Sequence, residues 1–211
     1  MMMNMWAHAS KCQSRRSRSD VLLKAAELDA LEETGTCPYY PDKPRWLEKL
    51  ATRRKMDVPL GWKVVRSRPL DQMVCDRPAA DITGLDLRLG VEDVPEMLAL
   101  AQATDPGPFS EGTIRMGRYY GFRSADGRLA AMAGERLRLT GYTEISAVCT
   151  HPAFRGRGYA RALVAGLAAQ ALAETCIPFL HVKTENGARG LYEALGFRVR
   201  RSVQLTVLTR E

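Results

Sequence analysis

The sequence predicts an α+β domain built on a central mixed, mostly antiparallel sheet flanked by helices, preceded by a helical N-terminal extension. Three observations lead there. Asp126-Gly127 sits between two apolar runs, a strong hairpin signal. A long helical pattern separates the apolar strands 143–150 and 179–183, so those two strands must pair in parallel. The order of elements from residue 81 onward reads β-α-β-β-β-α-β-α-β, which places helices on the faces of one sheet.

The extension spans residues 1–80 and the domain residues 81–211. Residues 1–19 contain no acid and a Ser/Arg cluster, the composition of a disordered segment or, less simply, of a transit peptide. Val21, Leu22, Ala25, Leu28 and Leu31 recur at helical spacing and stop at Gly35, and a second helix is expected over 46–56 with Leu47 and Leu50 inward. Residues 61–74 alternate weakly and read as two short strands. The basic run Arg53-Arg54-Lys55 lacks interleaved aromatics, which favours a solvated helix face over nucleic-acid contact.

In the domain, Leu85, Leu87 and Leu89 alternate with polar residues as a half-buried strand does. Asp93 and Glu96 can cap a helix carrying Met97, Leu98 and Leu100, which Asp105-Pro106-Gly107-Pro108 ends. The stretch 142–173 organises the rest of the domain. Its strand holds Glu144 as the only charge, His151-Pro152 ends it, and Arg155-Gly156-Arg157-Gly158 turns into a helix starting at Tyr159. A glycine loop rich in arginine at a helix N-terminus is an anion site, so the expected ligand carries phosphates. A short helix over 190–195, a stop at Gly196 and a final strand over 197–209 complete the chain.

The 211 residues carry a net charge of +7, mostly in the first 80 residues, and no apolar run long enough to span a bilayer. Five scattered cysteines without a C-x-x-C pair argue against a disulfide framework or zinc ribbon and for reduced thiols in a cytoplasm. Cys149, His151, Cys176 and His181 match no common zinc spacing, so no metal is expected. Gly156-x-Gly158 has Arg161 where a dinucleotide fingerprint needs its third glycine.

Arg155-x-x-Gly158-x-Ala160, together with Leu191-Tyr192-Glu193-Ala194-Leu195-Gly196-Phe197 and Phe179-Leu180-His181-Val182, resembles the GCN5-related N-acetyltransferases, closest to their FR47-like branch, over roughly residues 84–211. The resemblance implies the acyl-CoA N-acyltransferase fold and acetyl-CoA as co-substrate. Its pyrophosphate would lie on Arg155, Gly156, Arg157, Gly158, Tyr159, Ala160 and Arg161, and its pantetheine along Val148, Cys149 and Thr150 where the sheet parts. Asn186 resembles the asparagine that contacts pantetheine, one residue closer to Tyr192 than is usual. Tyr192 would protonate the departing thiolate, against the alternative of a packed core aromatic. Glu144 would be the general base that an amine of pKa ~10.4 requires, against the alternative of a structural carboxylate. Partners implied are an unidentified amine acceptor and, as one assembly, a homodimer; Pro106-Gly107-Pro108-Phe109 would form part of the acceptor wall. A CoA-binding sensor or interaction module with little catalytic activity is the alternative function.

Overall fold

The computed structural model describes residues 47–52, 58, 60–77, 85, 87–107, 109–185 and 187–210. The expected helix over 21–33 and the segment 1–19 lie outside these residues.

Among the described residues eight strands form one sheet in the order β1-β8-β2-β7-β6-β5-β4-β3. They are β1 (Leu47–Thr52), β2 (Trp62–Val74), β3 (Leu87–Leu89), β4 (Tyr119–Arg123), β5 (Leu129–Leu139), β6 (Tyr142–Thr150), β7 (Ile177–Lys183) and β8 (Arg198–Arg210). Every pairing is antiparallel except β6 with β7, which a helix connects as predicted. Among the described residues three α-helices accompany the sheet: α1 (Val94–Thr104), α2 (Tyr159–Ala173) and α3 (Arg189–Ala194).

Neighbouring residues on one strand serve opposite faces. Ala131 and Ala133 of β5 pack with Leu163, Val164 and Leu167 of α2, whereas Met132 between them packs with Met97 and Leu100 of α1. The sheet is therefore sandwiched, with α2 and α3 on one side and α1 on the other. Ile145, Leu180, Val182 and Met73 belong to the α2 side. By alternation Glu144, His181 and Gln72 face the α1 side.

Two expectations are corrected. The helix placed over 46–56 is, where described, the strand β1; its six residues pair with Gln204 to Thr209 of β8. The open backbone edge of β8 offers six residues a ladder, and a weak apolar spacing such as Leu47 and Leu50 does not outweigh it. The two short strands expected over 61–74 are one strand, β2, with a register shift between Val64 and Arg66. It lies between β7 and β8, so this part of the first 80 residues is inside the sheet.

At the start of α1 the chain first makes a 3-10 turn at Val91–Asp93. Asp93 does not cap forward. Its carboxylate accepts from the Gly90 N–H (2.8 Å) and from Arg123 (2.5 Å), pinning the turn to β4.

Candidate active site

The site begins where the parallel pair comes apart. Pairing between β6 and β7 runs from Tyr142 with Ile177 to Glu144 with Phe179 and stops there. Beyond it β6 is bent by a bulge: the β5 register shifts between Met132 and Gly134, and Ala147 opposite has φ of 52°, a left-handed conformation a non-glycine residue adopts at a cost. Past the bulge Cys149 and Thr150 resume pairing with Met132 and Ala131 of β5, while on their other side the pairing with β7 has already ended. Thr150 Oγ1 is buried with no hydrogen-bond partner among the described residues, and such an atom calls for a ligand.

After β6, His151 Nδ1 accepts from the Ala153 N–H (3.2 Å) and closes a 3-10 turn at Pro152–Phe154. Phe154 is buried beneath the loop, with the Arg157 guanidinium 5.3 Å and that of Arg128 5.6 Å from its ring centre. Gly156 and Gly158 both have φ near 80°, and no atom lies within 4 Å of where a Cβ would sit on either. Ala162 N–H makes a helical bond to the Gly158 carbonyl at 3.0 Å. By helix geometry the N–H groups of Tyr159, Ala160 and Arg161 precede that bond and point out of the helix end.

Thr150, Arg155, Gly156, Arg157, Gly158, Tyr159, Ala160, Arg161 and Leu191 line a cavity of about 310 Å³. Open glycines, free N–H groups, the positive end of a 15-residue helix and exposed arginines fit the diphosphate of a CoA. Arg155 Nε also donates to the Thr150 carbonyl (3.4 Å), tying the loop to the end of β6.

Tyr192 lies on α3, buried, its ring edge-on to Phe197 at 6.2 Å. Burial, with a contribution from the nearby Cys149, pushes its hydroxyl up to about 12, so it stays protonated across the neutral range. Arg189 at the start of α3 donates to buried Asp71 of β2 (3.3 Å), which also accepts from Ser202 (2.7 Å); the helix is thereby fastened to the sheet.

Burial pushes the Cys149 thiol up to about 11, and its neighbours Thr104 and Met132 offset this only in part. A thiol of that kind is a poor nucleophile. Alkylation of Cys149 by iodoacetamide at neutral pH is expected to be at least tenfold slower than that of free cysteine; peptide mapping of the alkylated protein measures it.

Glu144 is 2% exposed and lies at the apex of the split. Arg136 Nη2 donates to its Oε1 (2.6 Å) and Arg136 Nε to its Oε2 (3.1 Å), while His181 Nδ1 lies 2.9 Å from Oε1. Burial alone would raise the carboxyl; the Arg136 charge and the His181 contact outweigh it and hold the group at about 2. Gln72 adjoins His181 in turn, and Arg200 adjoins Gln72. Of this group sequence reasoning singled out only Glu144 by role, because the others come from four different strands with no common spacing. Phe109 of the expected acceptor wall packs edge-on to Tyr119 at 5.8 Å. Asn186 and Pro108 lie outside the described residues, among which no group of three or more His, Cys, Asp or Glu could hold a metal and no helix is long and apolar enough to cross a membrane.

Comparison with known proteins bears on the whole of this arrangement. The family model described as FR47-like protein matches residues 119–205. A crystal structure from Novosphingobium aromaticivorans, described as an acetyltransferase of the GNAT family, is 45% identical with a TM-score of 0.74, over 78% of this chain and 75% of that one. A GNAT-family acetyltransferase from Colwellia psychrerythraea shares the fold at 19% identity and TM-score 0.56, over 69% of this chain and 56% of that one. A protein of unknown function from Staphylococcus epidermidis does so at 11% identity and TM-score 0.52, over 90% and 82%. No curated protein sequence matches.

Proposed function

Because the chain belongs to the GNAT family of acetyltransferases, we propose that it transfers the acetyl group of acetyl-CoA directly to a primary amine within a ternary complex. The observation that carries this reading is the break in β6–β7 pairing beyond Glu144 and Phe179, set beside the open glycine loop. A parallel pair abandoned mid-strand leaves backbone donors and acceptors that an extended amide-bearing chain can satisfy. Pantetheine is such a chain, and the loop takes the phosphates at its end.

In this reading Val148, Cys149 and Thr150 flank the pantetheine, with Thr150 Oγ1 gaining the partner it lacks. Arg155, Gly156, Arg157, Gly158, Tyr159, Ala160 and Arg161 hold the diphosphate through backbone N–H groups and charge. Asn186 contributes a pantetheine contact by resemblance. A backbone N–H at the bulge, near Val148, faces the thioester oxygen as charge develops on it. Tyr192 donates its hydroxyl hydrogen to the departing thiolate. A phenol held near 12 does not surrender its proton fully to a thiolate of pKa ~8.5, so its main contribution is the hydrogen bond it makes as the C–S bond breaks. Glu144, ionised and held by Arg136 and His181, acts as an orienting carboxylate in place of a base. Among the described residues Cys75 and Cys149 are buried thiols outside any disulfide, which favours a reducing compartment such as the cytoplasm.

Tyr192→Phe is expected to lower kcat by about 10²-fold while changing the dissociation constant of acetyl-CoA less than threefold. Steady-state CoA release with an amine panel, alongside calorimetric acetyl-CoA titration, measures both. Unchanged turnover at every pH would remove the Tyr192 assignment.

A further inference from the structure

An ammonium group must lose its proton before it can attack a thioester, and the described residues around the cleft show how little this protein offers to take it. Five side chains from five consecutive strands form one hydrogen-bonded row on the α1 side of the sheet: Arg136 of β5, Glu144 of β6, His181 of β7, Gln72 of β2 and Arg200 of β8. Arg200 Nη1 donates to Gln72 Oε1 at 2.8 Å, which turns the Gln72 amide nitrogen toward His181 Nε2, 3.2 Å away. An amide nitrogen only donates, so His181 Nε2 accepts and the ring proton sits on Nδ1, pointing at Glu144 Oε1. Both ring nitrogens are then engaged. Both Glu144 oxygens are engaged as well, and the carboxylate is buried. The next charged group on β7, Lys183, bonds Asp105 beyond α1 (3.2 Å). Of the other described titratable groups, Cys149 on β6 and the buried Tyr192 hold their protons at neutral pH.

We propose that this row keeps His181 a neutral Nδ1–H imidazole with no lone pair to spare, so that the protein selects weakly basic primary amines, such as a peptide's N-terminal α-amine, already partly unprotonated at neutral pH. The inference rests on the transferase reading above. The neutral amine attacks the carbonyl carbon, the N–C bond forms, and the C–S bond breaks with its electron pair on sulfur. The proton lost from nitrogen goes to solvent, and the thiolate regains one from the same source. Gln72 and Arg200 are positioning residues in this scheme, acting through His181.

At pH 7 an α-amine of pKa ~7.8 has roughly 300 times the unprotonated fraction of a lysine amine of pKa ~10.4. Lower intrinsic nucleophilicity of the weaker base recovers part of that difference. Two matched peptides test the proposal: one lysine-free with a free N-terminus, the other N-acetylated with a single lysine, both assayed by CoA release between about pH 6.5 and 9. We expect the α-amine peptide to react at least tenfold faster at pH 7, with kcat/KM for each peptide rising until that amine's own pKa. Gln72→Leu, which frees His181 Nε2, should narrow the gap at least threefold. Independently of activity and of that variant's folding, the ring ¹⁵N resonances, assigned with His181→Asn, should report the Nδ1–H tautomer. A lysine peptide that matches or beats the α-amine peptide, or an Nε2–H or doubly protonated His181 ring at pH 7, would overturn the proposal and leave the transferase reading standing. Transfer to neither peptide nor to small amines of either class would overturn both.

Discussion

Arg136→Met is expected to destabilise the protein by about 3 to 5 kcal/mol at neutral pH, because it strands the buried Glu144 carboxylate without its cation. The pH dependence gives the effect its signature. In the native protein the Glu144 carboxyl lies at about 2 against an ordinary 4.5. A folded value below the unfolded one contributes stability above pH ~4.5 that is lost as pH falls toward about 2, on the order of 3 kcal/mol in all. Without Arg136 the burial that now opposes ionisation prevails and the folded value rises. The variant's stability should then fall as pH increases, so the gap between the two proteins widens from about pH 4 to about pH 7. Urea unfolding at both pH values measures it, and an equal loss at each would show that Arg136 matters through packing alone. Adding Glu144→Leu should recover most of the stability, since removing both partners of a buried pair costs far less than removing one.

Gly158→Val is expected to weaken acetyl-CoA binding at least tenfold while leaving the unfolding transition largely in place. Gly158 has φ of 80° at the residue that caps α2, a conformation costing a β-branched side chain roughly 1 to 3 kcal/mol. The loop can relieve that strain only by moving, and its exposure means that little core moves with it. What it loses is the aim of its N–H groups at the phosphates. The added isopropyl group also enters the open space beside the backbone where the ligand must approach. Calorimetric titration with acetyl-CoA, paired with a thermal melt, separates lost binding from lost fold. Unchanged affinity would place the diphosphate elsewhere.

The parts of this structure legible in the sequence are those set by neighbours along the chain. Strand β6, the loop and α2 form a continuous stretch whose period changes from two to about 3.6 at Gly158, and their bounds fall within a residue of expectation. The hairpin at Asp126-Gly127 and the final helix behave the same way. Strand β1 was hidden, and β2 read as two short strands instead of one, because both pair with β8, about 125 to 160 residues further on. Strand β2 in particular has an exposed first half and four consecutive buried residues in its last, so alternation is blurred. Within the site, the chemistry of Glu144 depends on Arg136 and His181, and that of His181 on Gln72. No local pattern in the sequence reports such partners, which is why one carboxylate on an apolar strand reads equally as base or as structural anchor.

The central claim is that acetyl-CoA held by the glycine loop gives its acetyl group straight to an amine. Rapid-quench measurement of CoA release from acetyl-CoA, with and without acceptor amine, tests it most directly. Direct transfer predicts release only when amine is present, one CoA for each amide formed, and no acetylated protein in the intact mass spectrum. Tight binding of acetyl-CoA with no release for any amine would instead identify a CoA-binding sensor, and a burst of CoA without amine would require a covalent acetyl-enzyme; either result contradicts direct transfer.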